Sequence, residues 1–121
     1  MIYVSVNDQL YPATITGRLR DTSWNDRSSK EITVEMTYAK ALETFVDDIN
    51  WSIVEIITHE EHVFNEEDGT VTVIPREDRL EYDNSDYSIA GDITDHRNGH
   101  VSVKMGKPTA DELLALIEEA F

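Results

Sequence analysis

The stretch "ITGRLRD", Ile15 to Asp21, returns nearly respelled as "IAGDITD", Ile89 to Asp95. Each copy leads through a polar turn into another alternating stretch, "EITVEM" (Glu31 to Met36) in the first half and "HVSVKM" (His100 to Met105) in the second. Alternation with a period of two is the side-chain geometry of a strand, so each half is expected to form a hairpin with one apolar face. Ile32, Val34 and Met36 then share a face, as Val101, Val103 and Met105 do, and Ile15, Gly17 and Leu19 match Ile89, Gly91 and Ile93.

The second hairpin contains Asn98-Gly99, which predicts a tight primed turn with two positive φ angles. The first turns through "TSWNDRSSK", a longer polar loop carrying Trp24, whose geometry is not dictated by its residues. Beyond each hairpin the apolar spacing becomes helical: Ala39, Leu42, Phe45, Val46 and Ile49 after the first, Leu113, Leu114, Ile117 and Phe121 after the second. Thr109 and Glu112 form a capping box behind Pro108, which is a helix start.

The unit strand, turn, strand, helix thus occupies residues 11–49 and again 87–121, joined by an acidic β segment over 50–86. A duplication would give Gly17 and Gly91 equivalent roles as a bend, a bulge or a close approach. Chance likeness between two amphipathic hairpins is the competing explanation.

Outside the units, "IYVSV" opens the chain as a strand that "NDQ" folds back. "WSIVEIITH", Trp51 to His59, reads as a well-covered strand, and a further hairpin is expected from His62 to Ile74 with its turn at Asp68-Gly69. The expectation is one α+β domain over residues 1–121, mostly antiparallel sheet of about seven strands, with two helices packed on one face or plugging a curved sheet.

Twenty-five acids against ten bases give a formal charge of −15, which repels phosphate backbones and anionic membrane surfaces. Direct nucleic-acid binding and membrane association are therefore not expected. The absence of cysteine excludes disulfides and thiolate metal sites. The N-terminal residues lack a basic n-region and a continuous apolar run, and no later run is long enough to span a bilayer, so a protein of the cytoplasm is expected.

Catalytic signatures are missing. "HEEH", His59 to His62, is one residue short of the zinc motif, and on a strand its histidines would face opposite ways. His96 and His100 flank the second turn without ligand spacing. "DNSDYS", Asp83 to Ser88, lacks the glycine and terminal glutamate of a calcium loop. No nucleophile elbow or phosphate-cradling loop occurs. The residues point to a protein that is not an enzyme and has no catalytic, cofactor-binding or metal-binding residues; Gly17, Gly91, Asn98 and Gly99 read as structural turn or bend positions.

Charge distribution is more specific. Between Glu60 and Asp86 ten acids stand against Arg76 and Arg79, a net −8. Glu60, Glu61, Glu66, Glu67 and Asp68 are candidates for docking a basic partner, with a merely solvated hairpin as the alternative. Trp24, a large aromatic among Thr22, Ser23, Asn25 and Asp26, is the other candidate contact, or else it packs back over the hairpin.

The phrases "IYVSVNDQLYPATITGRL", "KALETFVDDINWSIVE" and "YSIAGDITDHRNGHVSVKMGKPT" together resemble a group of small proteins encoded by temperate phages and prophages of gut Firmicutes, in the late structural gene region. The resemblance covers nearly the whole chain and carries over no catalytic or binding residue. It implies a noncatalytic interaction protein, a tail-associated minor virion component or an assembly factor, whose partner is a phage structural or host protein or another copy of itself. Such a protein is made in the host cytoplasm and can end in the virion. The alternative from the charge is an acidic inhibitor that imitates DNA to occupy a host DNA-binding protein.

Overall fold

The computed structural model describes residues 1–120; the expected helical position Phe121 lies outside the described residues. Seven strands and two helices follow in the order β1 (Ile2–Val6), β2 (Gln9–Asp21), β3 (Arg27–Glu35), α1 (Tyr38–Thr44), β4 (Trp51–Phe64), β5 (Val71–Asp83), β6 (Ile89–Asp95), β7 (His100–Gly106) and α2 (Ala110–Ala120). All strand pairs are antiparallel, in one sheet of order β5-β4-β1-β2-β3-β7-β6. The α+β class read from the sequence is the class observed.

β5 and β6 are the two outermost strands, yet only residues 84–88 connect them. Seven strands laid flat would span about 29 Å at roughly 4.8 Å per strand. Six residue steps reach at most about 21 Å, so the sheet must curl until its edges approach. Residues 84–88 form a strap across the concave face, where the Tyr87 hydroxyl meets the Ser28 hydroxyl at 3.2 Å and the Asn84 side chain accepts from the Lys30 ammonium.

The concave face carries the core. Cross-strand registers place Val4, Val6, Ile32, Val34, Val101, Val103 and Met105 on it, all buried. Trp51 is 1% exposed, donates its indole N–H to the Tyr87 carbonyl at 3.1 Å and meets the Tyr87 ring edge-on at 6.4 Å. The strap is thus sealed by the residue that opens β4.

α1 differs from its sequence reading. Thr37 caps it by accepting from the Lys40 N–H, but it ends at Thr44 and not near Ile49, and it buries Ala41, Thr44 and Phe45 while Leu42 and Val46 stay about half exposed. The helix stops because the next residues are claimed elsewhere: the Asp47 carboxylate accepts from the Ala90 N–H at 2.8 Å, and the Asp48 N–H donates to the Ser88 carbonyl at 2.8 Å. Ending there lets Phe45 turn into the core.

Two turns also differ. Asn7 and Asp8 both take positive φ and make the two-residue β1–β2 turn, as a primed turn requires. At "RNGH" the positive φ angles belong to Arg97 and Gly99, not to Asn98 and Gly99. Asp95 and Asn98 accept from the N–H groups two residues on, which opens the turn into a four-residue loop over 96–99. The β4–β5 connection is likewise a six-residue loop, with Gly69 but not Asp68 at positive φ.

Candidate functional site

β1 pairs with β4 only over residues 51–55, with Met1 adding a bonded pair at Ile56. The β4–β5 ribbon nevertheless continues in unbroken register to Phe64 and Val71. About eight residues of each strand therefore project beyond the sheet, roughly 27 Å at about 3.4 Å per residue. Nearly every residue from Ile57 to Asp78 is exposed, with Ile74 half-buried. This projecting arm is the most distinctive surface of the molecule.

The arm gathers the acidic candidates. Glu60 and Glu61 lie on opposite faces of β4, and Glu66, Glu67 and Asp68 form the tip loop, so seven acids stand against Arg76 between Ile57 and Asp78. On the concave-side face the Arg76 guanidinium pairs with Glu61 at 2.7 Å and His59 meets Asp78 at 3.0 Å, which knits the two strands together. Such exposed pairs are individually weak, but they fix cross-strand register. The tip is ordered by its own side chains: Asn65 accepts from the Glu67 N–H, and the Thr70 hydroxyl and N–H hold the Asp68 carboxyl below its ordinary range.

The opposite face of the arm is apolar at its end. Phe64, Val71 and Val73, 48–62% exposed, lie together there with His62, and the tip acids stand directly beyond them. The sequence reading missed these three. Their signal was the alternation in "HVF" and "VTV" on either side of the acidic turn, which continues the strand pattern past the length a covered strand needs.

Trp24 is not on this surface. It lies half-buried over the second hairpin, against Gly91 and Gly106 of β6 and β7, with the Arg27 guanidinium 4.8 Å from its ring centre. A Cβ added at Gly91 would stand 2.6 Å from the indole, and one at Gly106 2.8 Å from it. Gly91 and Asp92 also form a bulge opposite Lys104, since Ala90 pairs with Met105 and Ile93 with Val103. Gly17 has no such neighbour: it pairs in regular register with Lys30, and β2 bulges farther on, between Arg18 and Asp21. The doubled phrase therefore holds its glycines for different reasons. Gly91→Ala is expected to destabilise the fold by about 1–3 kcal/mol through this clash. In urea unfolding most of that loss should disappear in a Trp24→Leu background, where the indole is gone.

Beside Trp24 sits a buried polar network. Asp21 is fully buried, accepts from the Ser23 hydroxyl at 2.6 Å and the Ser29 hydroxyl at 3.0 Å, and pairs with the Lys104 ammonium at 3.1 Å. The Ser23 hydroxyl foremost, then Lys104, hold its carboxyl far below the ordinary value. A serine beside a lysine can form a nucleophile and base pair, but this ammonium is committed to Asp21, and the arrangement is a staple joining β2, β3 and β7. Among the described residues no group of three or more His, Asp or Glu side chains is arranged to hold a metal ion, and His96 instead meets the Ser102 hydroxyl at 2.7 Å.

Open hollows also mark the surface of the described residues. A polar cleft of about 320 Å³ runs from the Asn7–Asp8 turn to Asp83 and Ser85. On the concave face a trough of about 560 Å³ is lined by Ile2, Ala13, Ile15, Gly17, Lys30 and Ile53, whereas α1 packs mainly toward β6 and β7. Among the described residues no helix is long and apolar enough to cross a membrane. No family of proteins, no curated protein and no solved structure matches this chain.

Proposed function

We propose that this protein is a noncatalytic interaction protein of a temperate phage or prophage, a tail-associated minor particle component or an assembly factor, which docks through the projecting arm. The observation that carries the reading is the arm itself. A two-stranded ribbon without a covering layer is marginal alone in water, so extending one well past the sheet has a structural cost without a structural return. Three apolar side chains beside a cluster of tip acids suit a basic partner surface with a shallow apolar recess. The place of action consistent with this is the host cytoplasm, and the virion if the protein remains in the particle.

The inhibitor that imitates DNA gains no support from the arm. Such imitation needs carboxylates in rows, whereas here Glu60 and Glu61 point to opposite faces and Glu61 and Asp78 are engaged by Arg76 and His59.

The test is to induce a lysogen carrying the gene, purify particles through a density gradient, and quantify the chain by mass spectrometry in particle and lysate fractions. Glu66→Lys, Glu67→Lys and Asp68→Lys together are expected to lower its association with particles or assembly intermediates by about tenfold or more at low salt. Phe64→Ser should do the same without a change of charge. A chain absent from every particle or assembly complex, or one whose association ignores both sets of changes, overturns the reading.

A further inference from the structure

The sheet carries an open strand edge in its interior. The two-residue turn at Asn7–Asp8 makes Val6 and Gln9 a mutually bonded pair, and backbone groups two residues apart on a strand point to the same side. Tyr11, Ala13, Ile15 and Gly17 of β2 therefore turn their N–H and C=O groups toward the line of β1, while Thr14, Thr16 and Arg18 turn theirs toward β3. β1 does not run alongside Ile15 and Gly17: Tyr3 stands opposite Pro12, and Met1 exchanges backbone bonds with Ile56 of β4. Among the described residues nothing pairs with the N–H and C=O groups of Ile15 and Gly17 on that side.

The outer edges of the same sheet are guarded. Pro75 of β5 stands opposite Glu60, whose backbone, like that of Ile56, faces away from β5, so Pro75 turns its donorless nitrogen outward. β6 bulges at Gly91–Asp92, and Asp47 and Asp48 bind the backbone of Ala90 and Ser88 beside it. Proline, bulges and covering loops are the devices that stop an edge strand from recruiting another. The run Ala13–Gly17, "ATITG", has none of them and no charge.

Room for a strand follows from β1. It bonds to β2 on one side and to β4 on the other, so at its Ile2 end the two stand two strand spacings apart, about 9.6 Å. Beside that opening lies the apolar trough, lined by Ala13, Ile15 and Gly17 with Ile2 and Ile53. On the convex side of the same edge Arg18 is exposed and, among the described residues, has no ion-pair partner. From Gln9 to Arg20 the strand carries two arginines and no acid, in a chain of net charge −15.

We propose that an extended segment of a partner protein adds itself as a strand along Ala13–Gly17, in the line of β1, with alternate apolar side chains in the trough and an acid on the other face beside Arg18. Backbone pairing supplies the affinity, and the alternation selects the segment. A second copy does not suit this edge, because β2 against β2 would set Arg18 and Arg20 of both copies in one ribbon. The site is separate from the arm and stands or falls independently of docking there.

Amide exchange followed by NMR reads the site residue by residue. In the full-length chain alone the Ile15 and Gly17 amides should exchange at least about tenfold faster than those of Thr14 and Thr16, which β3 holds. The probe is a synthetic eight-residue peptide alternating valine and threonine, with glutamate at one threonine position. At about 1 mM it should slow exchange at Ile15 and Gly17 about tenfold, and a copy with every backbone nitrogen methylated should not. Arg18→Glu should weaken binding of the glutamate peptide about threefold and make a lysine version the tighter of the two. Any of four results overturns the proposal: protection of Ile15 and Gly17 in the chain alone, no slowing by either charged peptide, an unchanged preference in the Arg18→Glu chain, or slowing lost when Glu66, Glu67 and Asp68 become lysines. Protection that rises with the chain's own concentration would make the occupant a second copy, and the last of the four would put the peptide on the arm.

Discussion

Trp51→Ala is expected to cost about 3–5 kcal/mol in urea unfolding, the largest loss from any single substitution in this fold. The side chain is 1% exposed, packs in the main apolar cluster and anchors the strap. Its removal opens a cavity and strips the Tyr87 carbonyl of the indole donor, while Asn84 and Ser85 keep only their backbone-level ties to residue 51. Trp51→Phe separates the two effects: it retains most of the apolar volume and should cost about 1–2 kcal/mol, chiefly for the unpaired carbonyl. A loss below about 1.5 kcal/mol for the alanine variant would mean that the strap does not close the sheet in solution.

Acid is expected to unfold the protein through the network at Asp21, not through its net charge. The Asp21 carboxyl titrates below its ordinary 3.8 because the Ser23 hydroxyl and Lys104 favour its charged form, and Glu112 is lowered to about 2, first by Arg27 and then by the Thr109 N–H. A carboxyl whose folded value lies below its unfolded value contributes stability that is whole above the unfolded value and is lost as pH falls through the folded one. The loss therefore begins below about pH 4.5 and continues toward pH 2. Between neutrality and the isoelectric point near 4.4 the opposite trend holds, because protonating exposed acids relieves the self-repulsion of a −15 chain. Calorimetry should show Tm rising slightly from pH 7 to about 5, then falling by about 10 °C or more by pH 2. Asp21→Asn should lower Tm at pH 7 and flatten the acid limb; an unchanged limb would remove Asp21 from the explanation.

What the sequence made legible was the periodic part. Alternation in "EITVEM" and "HVSVKM" located β3 and β7 and the faces of Ile32, Val34, Val101, Val103 and Met105, because a buried strand face is a local pattern. α1 was overextended because Leu42, Val46 and Ile49 fit a helical period, while the contacts that end it, from Asp47 and Asp48 to Ala90 and Ser88, cross some forty residues of chain. The acidic character of the β4–β5 segment was readable, but its projection was not: nothing local reveals that the N-terminal strand stops supporting β4 after Ile56. Trp24 illustrates the same limit. Its neighbours in sequence are polar, and the partners that cover it, Gly91 and Gly106, are distant and visible only as glycines.

The strand order also fixes a sequence of events in folding. The pairs β1–β2, β2–β3, β4–β5 and β6–β7 are hairpins that close over short loops and can form quickly, whereas β1–β4 and β3–β7 join residues some fifty and seventy positions apart. Loop closure of that length sets the rate, so the seam between β3 and β7 should be the slow step, with the strap acting as a tether that brings the β6–β7 hairpin close once β4 and β5 are in place. The transition state would then run through Ile32, Val34, Val101 and Val103, and shortening these side chains should slow refolding, while equal losses on the arm would leave the rate unchanged.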